Sequence, residues 1–154
     1  MATFGTFVDG TSLKASELND LFRQKSDASG TPVYQSGIVT QGAGSLRYFT
    51  VAKFVIGFFY ASISGAGTAG NRIEAALPVT AASSSVRVIG SGLFRDNSPL
   101  GFRAIRVVQY STTRMAFLTD TATSLTSYLG TTNGPAVTLA NNDQLFGSFI
   151  YEAA

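Results

Sequence analysis

A chain of 154 residues with neither cysteine nor histidine excludes disulfides, zinc-finger and thiol chemistry, and every Ser–His or Cys–His nucleophile pair. Only 13% of the residues are charged, 11 basic against 9 acidic, for a net charge of +2. The basic residues are scattered singly, without the run of Lys or Arg that marks a nucleic-acid groove. So few charges, about half the usual share, favour a particle that hides much of its surface in contacts.

Residues 1–12, MATFGTFVDGTS, form an arm speckled with Phe4, Phe7 and Val8. Either it lies against a neighbour or it is a mobile terminus. No basic stretch followed by an apolar core opens the chain, so assembly inside the producing cell is expected rather than secretion.

Residues 13–25, LKASELNDLFRQK, predict a helix. Leu18, Leu21 and Phe22 fall at i, i+3 and i+4, with Leu13 ahead of them. Glu17 and Asp20 lie early and Arg23 and Lys25 late, in the sense the helix dipole favours. A helix of about twelve residues is marginal alone, so its stripe needs a partner. That partner is either its own domain or other copies around an axis. Leu13, Leu18, Leu21 and Phe22 are therefore the candidate attachment or trimerisation residues.

Residues 26–32, SDASGTP, read as a linker. The division is thus an arm, helix and linker over 1–32 and a β domain over 33–154. From Val33 onward, short β-branched and aromatic runs alternate with Gly, Ser, Thr and Asn, the texture of an all-β sandwich or barrel. Strands are expected near 33–40, 46–51, 54–63, 72–77, 85–95, 102–109, 114–118, 136–139 and 144–152. Turns or loops are expected at 42–44, 64–70, 81–85, 95–101 and 119–134.

Two segments stand out. VAKFVIGFFYASI at 51–63 and QLFGSFIYE at 144–152 are apolar on consecutive positions, as in strands covered on both faces. The first is too short for a membrane span of roughly 20 apolar residues and is interrupted by Lys53 and Gly57, so no membrane insertion is expected. A small sandwich covers one face of such a strand, so the second face calls for a partner subunit. Phe54, Ile56, Phe58, Phe59, Tyr60, Phe146, Phe149 and Tyr151 are the residues expected to fill the core or the subunit contact.

Catalytic and ligand motifs are weak. Asp96, Asp120 and Asp143 lie at strand ends or loops, where a carboxylate bonds nearby backbone N–H groups. They lack the dense Asp-x-Asp spacing of a calcium loop. GAGTAGN at 65–71 contains G-x-G-x-x-G, but no helix follows to supply a phosphate-binding N-terminus. Arg103 and Arg106 point to opposite faces of a strand, one expected to pair with Glu74 or Glu152 and the other to be a surface charge. The expectation is a protein that is not an enzyme and carries no cofactor or metal.

VDGTSLKASELNDLF resembles the motif that opens many phage tail-fibre and minor tail proteins, G-x-x-L-T-A-x-x-L-N-x-x-F, through Gly10, Leu13, Ala15, Leu18, Asn19 and Phe22. Lys14 stands where that motif has its capping Thr. In the body, Tyr48, the strand led by Lys53, the Gly-rich loop and Leu77-Pro78-Val79 are similar to the C-terminal β domain of such proteins. The ending resembles W-x-x-G-D-x-L-x-x-G-x-Y-E-A through Asp143, Leu145, Gly147, Tyr151, Glu152 and Ala153 in the same order, without its Trp and first Gly and with Gly147 one place earlier and Tyr151-Glu152-Ala153 one place later than in that motif.

The resemblance implies a homotrimeric virion protein, assembled in the host cytoplasm. It would attach to other tail or capsid proteins by its N-terminus. Its antiparallel jelly-roll-like β-sandwich would belong to the kind shared with the C1q and tumour-necrosis-factor families. A short tail fibre or minor tail component is the leading expectation, with a capsid decoration protein or head fibre as the alternative.

Loops 64–71, 95–101 and 119–134 would then face a host surface glycan or protein, with Asn71, Asn97 and Tyr128 as candidate contacts. A lectin-like module working alone is a further alternative. Tyr128 and Tyr110 are its main candidate sugar platforms, against a duller role for both in packing.

Overall fold

The computed structural model describes residues 24–26, 34–35, 41–64, 72–97, 100–119, 127–129 and 139–154. Among these residues ten strands run in chain order: β1 Gln24–Ser26, β2 Tyr34–Gln35, β3 Gln41–Val51, β4 Phe54–Ile63, β5 Glu74–Ala76, β6 Arg87–Asn97, β7 Leu100–Gln109, β8 Arg114–Thr119, β9 Ser127–Tyr128 and β10 Gln144–Glu152. All pairings are antiparallel. The body of the sheet is β3-β4-β10-β6-β7-β8-β5, with β1 and β2 at its two edges and β9 beside β8. The all-β, antiparallel expectation holds, and the described residues contain no helix.

Six of the expected strands sit within two residues of their places: 54–63, 72–77, 85–95, 102–109, 114–118 and 144–152. The turn expected at 42–44 is instead part of β3, which continues through an irregularity between Gln41 and Gly44. Small residues absorb the extra residue of such a bulge without ending the strand. The strand expected at 136–139 is not formed at Leu139, and its other positions lie outside the described residues. The helix expected over 13–25 also lies mostly outside them, and its last two positions, Gln24 and Lys25, pair with β3 as strand. Extended backbone there meets the hydrogen-bonding edge of β3, which a helix could not use.

The sheet curls back on itself. Phe59 of β4 and Phe117 of β8 are four strand spacings apart along the pairing path. A flat sheet would separate them by about 19 Å, yet their ring centroids lie 5.3 Å apart. Phe149 of β10 stacks on the same Phe59 ring at 6.5 Å. Around these rings close Val55, Ile73, Phe94, Ile105, Val107, Met115, Leu129 and Leu145, all buried.

Glycine makes room for this curl. A methyl group built at Gly57 would fall inside the Phe149 ring. Gly92 and Gly147 face each other across β6 and β10, where either methyl would strike the opposite backbone. The segment at 77–82 then closes one end: Ala81 bridges Ala153, and the Tyr151 hydroxyl donates to Val79 O at 2.6 Å and accepts from Val79 N at 3.0 Å.

The β3–β4 hairpin turns through Ala52 and Lys53, with Val51 paired to Phe54. Ala52 has φ of 52°, a conformation that two-residue hairpins reserve for glycine at this first central position. Replacing Ala52 with Gly should therefore raise stability by about 1 kcal/mol, measured by urea unfolding of both proteins.

Candidate functional site

Strict alternation along β4 gives it two different faces. Val55, Phe59, Ala61 and Ile63 enter the core; Phe54, Ile56, Phe58 and Tyr60 point away from it. The contrast is sharpest at neighbours: Phe59 is 3% exposed and Phe58 is 58% exposed. On β10, Leu145, Phe149 and Tyr151 face inward, while Phe146 and Ile150 face outward. Among the described residues the inner flank of both segments is thus sheltered, while the outer flank is exposed at Phe54, Phe58 and Ile150 and half-buried at Ile56, Tyr60 and Phe146.

The outer residues align across strands. Ser45, Tyr60, Phe146, Leu93 and Ala104 form one row; Arg47, Phe58, Ser148, Ser91 and Arg106 form the next. Phe49, Ile56 and Ile150 make a third. Phe102, Leu100 and Leu93 extend the apolar surface beyond β10, each exposed. With roughly 200 Å² available to a free phenylalanine, the half-open rings of Phe54, Phe58 and Phe102 alone offer on the order of 300 Å². Contiguous apolar patches on an ordinary monomer reach about 300–600 Å²; here the Phe58 row also carries Arg47, Ser148, Ser91 and Arg106, so the exposed rings are interspersed with polar side chains.

Leu93, Leu100 and Phe102 were not singled out from sequence. Their signal was available: in β6 and β7 they alternate with Phe94 and Ile105, which are core residues. Leu13, Leu18, Leu21, Phe22 and Asn71 lie outside the described residues. Asn97 is exposed at the end of β6, and its N–H donates to Asp143 Oδ1 at 2.8 Å. Tyr128 lies beside Leu118 on β8. Six residues along β7, or roughly 20 Å, separate the pairing level of Asn97 from that of Tyr128, so these two candidates belong to different places.

Asp143 serves as the turn carboxylate expected of it. It is fully buried, with Oδ2 accepting from Ala140 N at 2.7 Å while Oδ1 holds Asn97. Arg103 and Arg106 do face opposite ways, opposite Phe94 and Ser91 respectively. Glu74, however, is held by Arg72 and Arg114 instead: Arg72 Nε donates to Oε1, and Arg114 Nη1 to Oε2 at 2.9 Å. In β structure, residues two apart share a face, so Arg72-x-Glu74 was the overlooked sign.

Arg72 also lies over the Tyr110 ring, 3.7 Å from its centroid, and 5.5 Å from that of Tyr128. The two tyrosines meet edge to face at 6.3 Å. Burial alone would raise the Glu74 carboxyl, but the bonds from Arg114 and Arg72 outweigh it and hold the group below the usual carboxylate range. Burial pushes the Tyr151 hydroxyl up to about 12, against the opposing effect of its bond to Val79.

No group of three or more potential metal ligands occurs among the described residues, and no described helix is long and apolar enough to cross a membrane. Comparisons with family models, curated proteins and solved structures find no match to this chain.

The two shifted groups set opposite pH limbs. Glu74 stabilises the fold while ionised, so its contribution is present above the ordinary carboxylate pKa and is lost as pH falls through that range and below. Tyr151 stabilises while protonated; its contribution is present below pH 10.0 and is lost as pH rises toward about 12. Urea unfolding against pH should show both losses, the acid one flattened in Glu74→Gln and the alkaline one in Tyr151→Phe.

Proposed function

We propose that the protein is a structural component of a tailed-phage virion, a short trimeric tail fibre or minor tail protein. The observation that carries this reading is the open apolar flank of β4 and β10, backed directly by the core. Water contact with that flank is costly, and packing against other copies removes it. Three copies meeting there would form a stiff head around an axis. The residues before the β domain would dock on other virion proteins.

The function is geometric, with no catalytic step and no cofactor. A trimer repeats each weak host contact three times, and linked contacts strengthen one another without any new chemistry. The jelly-roll topology and the attachment segment belong to this reading through the resemblance of residues 8–22, 48–79 and 136–154 to phage fibre proteins. The same resemblance and the same surface also serve a capsid decoration protein or head fibre, in which the trimer sits on the shell. Assembly in the host cytoplasm and residence in the virion follow in either case.

Sedimentation of the intact protein should give a trimer; a monomer at micromolar concentration removes the assembly reading. Phe58→Asp should yield a folded monomer by sedimentation and circular dichroism. Phe59→Asp should abolish folding, since it buries a charge where even truncation to alanine costs about 3–5 kcal/mol. Immunogold labelling of particles separates a tail position from a head position.

A further inference from the structure

Away from the apolar flank, the outer side of β5, β8 and β9 gathers a different set of side chains. Arg72, Glu74, Tyr110, Arg114 and Tyr128 come from separate stretches of sequence and meet there. The register explains the meeting: Glu74 opposes Ala116, Arg114 opposes Ala76, and Tyr128 opposes Leu118, all on one face.

The charges in this cluster do not cancel. One arginine would neutralise Glu74, yet two guanidinium groups hold it, which leaves one formal positive charge in excess among the described residues of the cluster. Arg72 is fixed between the Glu74 carboxylate and the Tyr110 ring. Arg114 engages Glu74 through Nη1, and its side chain is 43% exposed. Against Arg72 stand two half-buried tyrosines in edge-to-face packing. A planar guanidinium with donors to offer is matched by a carboxylate. Ordered tyrosine rings offer contact area at little entropic cost, and the C–H face of a sugar ring is a flat apolar surface of suitable size.

We propose that Arg114, Arg72, Tyr110 and Tyr128 form a binding site for an acidic saccharide. The sugar carboxylate meets Arg114, and the ring packs against Tyr128. One excess positive charge suits a monoanionic carboxylate better than a phosphate, which carries nearly two negative charges. This site gives the host-contact part of the proposed function its ligand class, and rests on that reading.

Calorimetric titration of the intact protein with trisialic acid, trigalacturonic acid and maltotriose tests it. At least one acidic trisaccharide should bind saturably at up to millimolar concentration, more weakly as salt is added, and the neutral maltotriose should not bind. Arg114→Gln leaves Glu74 paired with Arg72, so the fold should persist while acidic-sugar affinity falls roughly tenfold or more. Tyr128→Ala should weaken binding comparably.

Absence of binding by both acids, equal binding of maltotriose, or unchanged affinity in Arg114→Gln overturns the site. Preference for a phosphopeptide over both acids overturns it as well. If Arg114→Gln does not fold, the salt dependence and the acidic-to-neutral comparison in the unaltered protein decide. Sedimentation of the same sample reports assembly separately, so a trimer without sugar binding removes this site alone.

Discussion

The packing of Phe59 between Phe117 and Phe149 is the contact on which the rest of the structure depends. It joins β4 and β10 in the middle of the sheet to β8 near its far side, and so converts a path of paired strands into a closed core. The contact needs a sharply bent sheet, and the bend needs backbone without side chains at Gly57, Gly92 and Gly147. Large rings above and bare backbone below are two halves of one device. A sheet with ordinary side chains at those positions could not bring Phe59 and Phe117 together.

The two-faced character of the middle and final strands was legible in the sequence because it is a local property. Alternation decides that Phe58 and Phe59 part company, whatever the rest of the fold does. The hairpin strands β7 and β8 were legible for the same reason. The curl was not, since a glycine in a strand looks the same whether it ends the strand, bulges it, or clears space for a ring on another strand. Thus the Gly-rich 42–44 looked like a turn and is strand, while Gly57 interrupted an apolar run without revealing what fills its place.

The polar cluster was hidden differently. Glu74 and Arg114 are far apart in sequence, and nothing local says that β5 pairs with β8. Tyr110 and Tyr128 could be named separately as candidate sugar platforms, but their meeting across Arg72 is a product of the topology. The outer surface therefore carries two regions of different chemistry on one folded unit, greasy over β4 and β10, and cationic and aromatic over β5, β8 and β9. Surfaces that differ this much can serve assembly and recognition without competing for the same residues.

The position of β10 between β4 and β6 has a consequence for how the fold is reached. The β3–β4 and β6–β7 hairpins close through short turns and can form early. They become a single sheet only when β10 slots into the gap, a long-range pairing that pays its loop-closure entropy before any contact rewards it. Until that insertion, both hairpins present unsatisfied strand edges next to bare aromatic rings. The slow step of folding is thus also the moment of greatest exposure to mispairing with a neighbouring chain, and crowding many nascent copies together would lengthen the odds against each one.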